Sequence, residues 1–310
     1  MYLSHYKLSQ KPFDISPDPA FLWLGEKHRE GLATLRYGIL QNKGFLMITG
    51  DVGIGKTALI RTLQKEMDAH IILITIPDPS LTLMDFYNVM ADELGMRRTF
   101  VNKGAFLIAF KHLVLKAAAA QKRLLIIIDE AHRLTDELLE EIRLLSNIDW
   151  GGQVLISTFL VGQLELKELI ARPANRAFRQ RIGVSYELFP LTVEETKHYI
   201  AHRLGVAGSR RIIFTPNAVR EVHRLTRGYP RLINIVCDHA LLLGFGAGYE
   251  RIGSEIVRDC SRDLTVALDI EDLPDRKELV AAADQAVAAK AEAEEVKPVR
   301  SRRYGWVLAS

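Results

Sequence analysis

From Gly44 to about residue 190 the chain alternates between two hydrophobic rhythms. Gly44-Phe-Leu-Met-Ile-Thr is a short apolar run that ends in a glycine-rich turn, and a helical pattern from about Lys56 to Asp68 follows it. Ile71-Ile-Leu-Ile-Thr-Ile is the next strand. Pro77-Asp-Pro-Ser stops it, and Ser80 is placed to cap a helix that runs to about Gly95. Residues 105–119 read as a helix with Lys111, His112 and Lys116 on its wet side. Leu124-Leu-Ile-Ile-Ile is continuously apolar, as a parallel sheet covered on both faces requires. A helix around 135–146, a strand from Val154 to Val161 and the strand-like Val184-Ser-Tyr-Glu-Leu complete the region. Strands that alternate with helices predict βαβ units and a parallel α/β sheet with helices on both faces.

The rhythm differs on either side. Residues 1–43 open with proline-bearing, extended or turning sequence, then a helix in which Leu32, Leu35, Tyr37 and Ile39 sit near a polar face of His28, Arg29 and Glu30. This segment is expected to pack on the core formed by 44–190. Residues 191–265 show no strand run. Thr192 and Glu195 make a capping box for a helix through His202, Thr215-Pro216 is an N-cap with proline at the first helical position, and Gly228 ends that helix. Pro230 opens a further helix through Leu243, so the expectation is a small all-helical lid. Residues 266–310 change again, with alternating Ala, Glu, Lys and Asp and then Lys297-Pro-Val-Arg-Ser-Arg-Arg, the composition of a solvated helix or disordered tail.

Composition narrows the class. The 310 residues are 48% hydrophobic and 25% charged, which argues against a disordered, collagen-like or membrane-embedded chain. The apolar runs fall far short of the roughly 20 residues that cross a bilayer, and no signal-peptide pattern opens the sequence. Two cysteines, Cys237 and Cys260, are too few for a disulfide framework and lack metal-ligand spacing, which favours a reducing, cytosolic setting. A formal charge of +3 neither demands nor excludes nucleic acid.

The chemistry concentrates in two places. Gly50-Asp51-Val52-Gly53-Ile54-Gly55-Lys56-Thr57 matches G-x-x-x-x-G-K-[ST] between a predicted strand and a predicted helix. The glycines let backbone N–H groups converge on phosphate oxygens at the positive end of the helix. Lys56 would reach the β- and γ-phosphates, and the Thr57 hydroxyl would ligate Mg²⁺. Asp129-Glu130, at the end of the Leu124–Ile128 strand, supplies the acids: Asp129 to hold Mg²⁺ through water, Glu130 to act as general base on the attacking water. The next residues complete Asp-Glu-Ala-His132. A helicase that uses such a box needs a second motor domain for which this length has no room, so His132 reads as a surface or sensing residue. The guanine-reading Asn-Lys-x-Asp is absent, which favours ATP. Arg176, Arg179, Arg181 and Arg231 are cations that could stabilise charge on the transferring phosphoryl group, or arginines on solvated helix faces.

Gly50–Thr57, Asp129-Glu130, Val161-Gly-Gln163, Arg179-Gln-Arg181-Ile and Gly228-Tyr-Pro-Arg231, in this order, resemble an AAA+ ATPase. Pro12-Phe, Pro17-Asp-Pro-Ala-Phe-Leu, His28-Arg-Glu, Tyr37-Gly-Ile and Pro230-Arg-Leu-Ile-Asn narrow the resemblance to the ATPase region of the general secretion pathway protein A (ExeA-type) family, over about residues 1–262. ATP-dependent regulators of transposition are related to it. The resemblance implies a five-stranded core with a helical lid, and ATP-dependent assembly into a ring or filament. It also implies Gln163 at the sensor 1 position, Arg231 as sensor 2, and Arg179 or Arg181 as the arginine finger. The sequence departs from the family at Leu164, where members usually carry proline, and secretion members continue into a transmembrane helix and a periplasmic domain beyond the matching region.

The function expected is an oligomeric ATPase that drives or gates assembly of a secretion or pilus-like envelope system, with components of that system as partners. An ATP-switched DNA-binding regulator is the alternative, with only the diffuse Arg210, Arg211, Arg220 and Arg224 to offer DNA. A small-molecule kinase is disfavoured by the two domains and the late arginines. Lys297, Arg300, Arg302 and Arg303 precede Tyr304-Gly-Trp-Val-Leu, which fits the cytoplasmic flank of a membrane helix, a peripheral inner-membrane tag or a soluble tail.

Overall fold

The structure, a computed structural model, describes residues 2–14, 18–150 and 152–264, together with 274, 276–281, 284 and 285. Residues 1–270 form one unit and 271–310 a second, in which 276–281 are helical. The expectations for the basic tail, from Lys297 onward, lie outside the described residues.

Five strands build the central sheet: β1 (Phe45–Thr49), β2 (Ile71–Ile76), β3 (Arg123–Ile128), β6 (Ile156–Gly162) and β7 (Ile182–Glu187). They lie in the order β2-β3-β6-β1-β7, and every pairing is parallel. The residues of β1 and β6 are buried throughout, so these central strands carry no polar face. Alternation divides their side chains between two layers. Phe45, Met47, Leu124, Ile126, Ile128, Ile156 and Leu160 enter one cluster, and Leu46, Ile48, Leu125, Ile127, Phe159 and Val161 the other.

The first cluster is covered by α4 (Leu83–Glu93), α5 (Lys103–Ala119), α6 (Asp136–Leu145), α7 (Glu165–Ala171) and α8 (Arg176–Arg179). The second is covered by α2 (Glu26–Leu40) and α3 (Lys56–Lys65). The strand expected from Val154 is two pieces. Gln153–Val154 (β5) pairs antiparallel with Asp149–Trp150 (β4) in a separate hairpin, and the sheet strand starts at Ile156. Ser80 does not cap α4. Its amide is held by the Asp78 carboxylate in the turn, and Thr82 accepts the Asp85 N–H instead.

A third cluster joins the helices α9 (Val193–Val206), α10 (Pro216–Thr226), α11 (Pro230–Gly246) and α12 (Ser254–Leu264). It also contains Tyr2 from the short α1 (Tyr2–His5), with Tyr6, Leu8, Phe13 and Phe21. Tyr2, Tyr6, Leu8, Phe13 and Phe21 therefore pack among the late helices, and α2 lies on the sheet. The buried Arg203 pins this segment. Its Nε donates to the Pro12 carbonyl at 2.6 Å, its Nη2 to the Asp14 carbonyl at 3.0 Å and its Nη1 to the Tyr199 hydroxyl at 2.9 Å, while the guanidinium stands 5.1 Å over the Phe21 ring. Glu195 completes the expected capping box with Thr192 and, with its other oxygen, accepts the Glu26 N–H at the start of α2.

In α2 the buried stripe runs His28, Gly31, Leu32, Leu35, Gly38, Ile39. Tyr37, expected near the apolar side, is two residues past Leu35 and 58% exposed. His28, expected on the polar face, is buried.

Phe13 is 1% exposed within the helical cluster. Phe13→Ala is expected to cost about 3–5 kcal/mol in urea unfolding, the range for a buried phenylalanine. A cost below about 1 kcal/mol, the range of surface substitutions, would mark the N-terminal segment as peripheral to the fold.

Candidate nucleotide site

β1 ends at Thr49 in the middle of the sheet, and the chain turns through Gly50–Gly55 into α3. Gly53 and Gly55 hold φ of 74° and 108°, a region L side chains rarely enter. At Gly53 a Cβ would also stand 2.9 Å from the Cβ of Arg231, so the loop and α11 meet at a point where only glycine fits. Lys56 is buried, with Nζ donating to the Gly50 carbonyl at 2.8 Å and the Asp51 carbonyl at 2.9 Å. Burial depresses its pKa, and the charges of Glu130, Asp129 and Asp51 oppose the shift. A buried ammonium bonded only to carbonyls lacks a counter-charge in contact, and a polyphosphate supplies one.

Asp129 follows β3, next to β6 and one strand from β1. Its Oδ1 accepts the Glu130 N–H at 2.9 Å. Burial raises the Asp129 pKa, against that hydrogen bond and the Lys56 charge. Glu130 adopts left-handed backbone (φ 49°), a conformation that costs a non-glycine residue about 1–3 kcal/mol and is found where surroundings enforce it. Gln163 follows β6, and its amide lies 3.4 Å from His132 Nδ1, which is also 3.4 Å from Glu130 Oε2. His132 thus stands between Glu130 and Gln163 rather than on the open surface.

The cleft over this loop has a volume of about 480 Å³. Gly53, Gly55, Lys56, Thr57, Glu130, Gln163 and Arg231 all line it, so the structure brings most of the sequence-predicted residues into one cavity. Arg231 enters from α11, where its backbone N–H donates to the Gly53 carbonyl at 3.2 Å. Arg179 and Arg181 do not line the cleft. Arg179 donates to the Ala171 carbonyl at 2.9 Å, and Arg181 to Asn147 Oδ1 at 2.5 Å, both on exposed ground.

Two groups of lining residues were not assigned to the site from the sequence. Leu22, Trp23 and Leu24, with Leu191 and Tyr199, form an apolar wall beside the loop. They come from the N-terminal segment and the lid, far from the motif in sequence. His28 reaches the loop itself: its Nε2 lies 2.9 Å from the Ile54 carbonyl, which can only accept, so Nε2 carries the proton. The signal available was the buried stripe of α2, which His28 begins.

The donor set fits a magnesium-nucleotide. Thr57 and Asp129 are the oxygen ligands suited to Mg²⁺, and the left-handed glycine loop at a helix N-terminus suits phosphate. When bound, the metal neutralises developing phosphate charge.

Fold and site together have the architecture of a P-loop AAA+ protein. Residues 39–170 match the family model described as an AAA domain. The chain is similar to general secretion pathway protein A of Aeromonas hydrophila, to which it is 39% identical over 254 residues, covering 81% of this chain and 46% of that protein. The chain thus spans about half the length of that relative. It is also 26% identical over 258 residues to the ATP-dependent target DNA activator B of Escherichia phage Mu, covering 77% of this chain and 72% of that one. Among solved structures, the Aeropyrum pernix ORC2 protein superposes with a TM-score of 0.60 at 18% identity, covering 81% of this chain and 71% of that one. Drosophila ORC bound to DNA gives 0.62 at 19%, covering 84% and 66%. These confirm the α/β fold of the sheet with its helical lid. No helix among the described residues is long and apolar enough to cross a membrane.

Lys56→Ala is expected to abolish ATP binding, measured by titration with a fluorescent nucleotide. Glu130→Gln should bind ATP and lower turnover by about 10²–10⁴, the worth of a general base. Full turnover in Glu130→Gln would remove the base from Glu130.

Proposed function

We propose that the chain hydrolyses ATP as an oligomer and that this cycle drives or gates assembly of a secretion or pilus-like envelope system at the cytoplasmic face of the inner membrane. The observation that carries this reading is the 39% identity with general secretion pathway protein A, which extends over the core and the lid together. The geometry supports these roles. Lys56 exchanges its carbonyl partners for the β- and γ-phosphates. Thr57 would ligate Mg²⁺ and Asp129 would hold it through water. Glu130 takes a proton from the attacking water, Gln163 reports the γ-phosphate beside it, and Arg231 contacts the same phosphate from the lid.

Arg179 and Arg181 lie outside their own cleft, which supports the reading that one of them completes a neighbour's site in a ring or filament. The match to the phage Mu protein favours the second reading, an ATP-switched DNA-binding regulator. Turnover stimulated by duplex DNA, with a stimulation that falls steeply with salt, would favour that reading over the envelope role.

Turnover per chain is expected to rise with protein concentration. A mixture of Arg181→Ala (or Arg179→Ala) chains with Lys56→Ala chains should recover activity, because one mixed interface pairs an intact pocket with an intact finger. Arginine fingers contribute about 10³–10⁵ in rate, so the recovery is large against either variant alone. Specific activity that is flat with concentration, and no recovery on mixing, would place both arginines outside a shared site.

A further inference from the structure

The P-loop and the lid are joined by a pair of side chains, neither of which lines the cleft. Tyr229 is 1% exposed and occupies the N-cap position of α11, two residues before Arg231. Its hydroxyl donates to Asp51 Oδ2 at 2.7 Å, across 178 positions of sequence. The other carboxylate oxygen of Asp51 accepts the Val52 N–H at 2.7 Å, and the Asp51 carbonyl holds Lys56 Nζ. One residue of the loop is therefore bonded at its side chain to the lid and at its carbonyl to the lysine.

We propose that Tyr229 and Asp51 form a positioning latch that sets Arg231 over the phosphate loop and so determines how strongly the site prefers a nucleoside triphosphate to a diphosphate. This rests on the reading of Arg231 as the residue that contacts the γ-phosphate. The backbone around the latch leaves it little slack. Gly228, at φ 84°, passes so close to the Leu191 carbonyl that a Cβ would stand 2.0 Å from it. Pro230 fixes the first turn of α11, and the Arg231 amide is bonded to Gly53. These contacts fix where α11 begins, and the phenol–carboxylate bond adds a tie from the side chain of its N-cap residue to the phosphate loop. Burial and the Asp51 charge both raise the phenol pKa, so Tyr229 remains a donor across the working pH range.

A hydrogen bond to a charged group is worth about a tenfold change in an equilibrium. In the full chain, Tyr229→Phe removes the hydroxyl and keeps the ring. It is expected to weaken ATP about tenfold, to change ADP affinity less than twofold and to leave the melting temperature near that of the parent. Asp51→Ala should lower the ATP-to-ADP affinity ratio similarly, and the Tyr229→Phe/Asp51→Ala double variant should lower it no further than the larger single effect, because the two side chains act through one bond. Arg231→Ala is the reference, expected to lower the same ratio.

If Arg231→Ala lowers the ratio and Tyr229→Phe does not, the latch is wrong while the Arg231 reading stands. If Arg231→Ala leaves the ratio unchanged, the Arg231 reading fails and the latch with it. Equal losses of ATP and ADP affinity in Tyr229→Phe, or effects of the two single variants that simply add, reduce the pair to structural support and overturn the proposal.

Discussion

Arg203 carries a charge into the interior of the helical cluster, where an unpartnered cation would cost several kcal/mol. Two of its bonds go to carbonyls at Pro12 and Asp14, so its partner is the backbone of the N-terminal segment itself. That requirement sets residues 12–14 against the lid, beside Phe21. Once there, Leu22, Trp23 and Leu24 become a wall of the nucleotide cleft, and the chain is delivered to Gly25 at the position from which α2 crosses to the sheet. The cleft is thus bounded on one side by the phosphate loop and on the other by a segment whose place depends on a buried guanidinium.

The sheet and the phosphate loop were legible because their physics is local. A strand covered on both faces is apolar along its run, as Phe45–Ile48 and Leu124–Ile128 are. A loop that wraps phosphate needs glycine where φ is positive, and Gly53 and Gly55 stand there. The lid helices were marked by their own caps, Thr192 with Glu195 and Thr215 with Pro216. The first 21 residues carry no such mark. Proline-bearing extended sequence shows that it is not a helix or strand, but which surface it covers depends on Arg203, about 190 residues later. His28 failed for a related reason: a histidine on an amphipathic helix looks polar until the carbonyl of Ile54 is brought to it. Ser80 and Thr82 were both credible caps, and the choice between them was made by Asp78, which takes the Ser80 amide for its own turn.

The site shows the same division. Lys56, Thr57, Asp129 and Glu130 belong to short motifs with fixed spacing. Gln163 and Arg231 become meaningful only when β6 is inserted between β1 and β3 and when α11 is set against Gly53. Arg179 and Arg181 stay outside the cleft, and no pattern within one chain could say what they face.

The helical cluster unites the two ends of the folded region. The Tyr6 hydroxyl donates to the Tyr249 carbonyl, 243 positions away, and Ser9 bonds through its amide to Ala207. On the ribosome, residues 2–21 must therefore wait for α9 to α12. Tyr2, Tyr6, Phe13 and Phe21 emerge as apolar side chains with no burial site until α9 to α12 have been synthesised, a long interval at the usual 5–20 residues per second of translation. The sheet layers, whose residues lie between, have no such wait. Closure of so long a loop is slow and exposes hydrophobic surface meanwhile. The first stretch of the chain is accordingly where a nascent molecule would most need shielding, by a chaperone or by its own folded core.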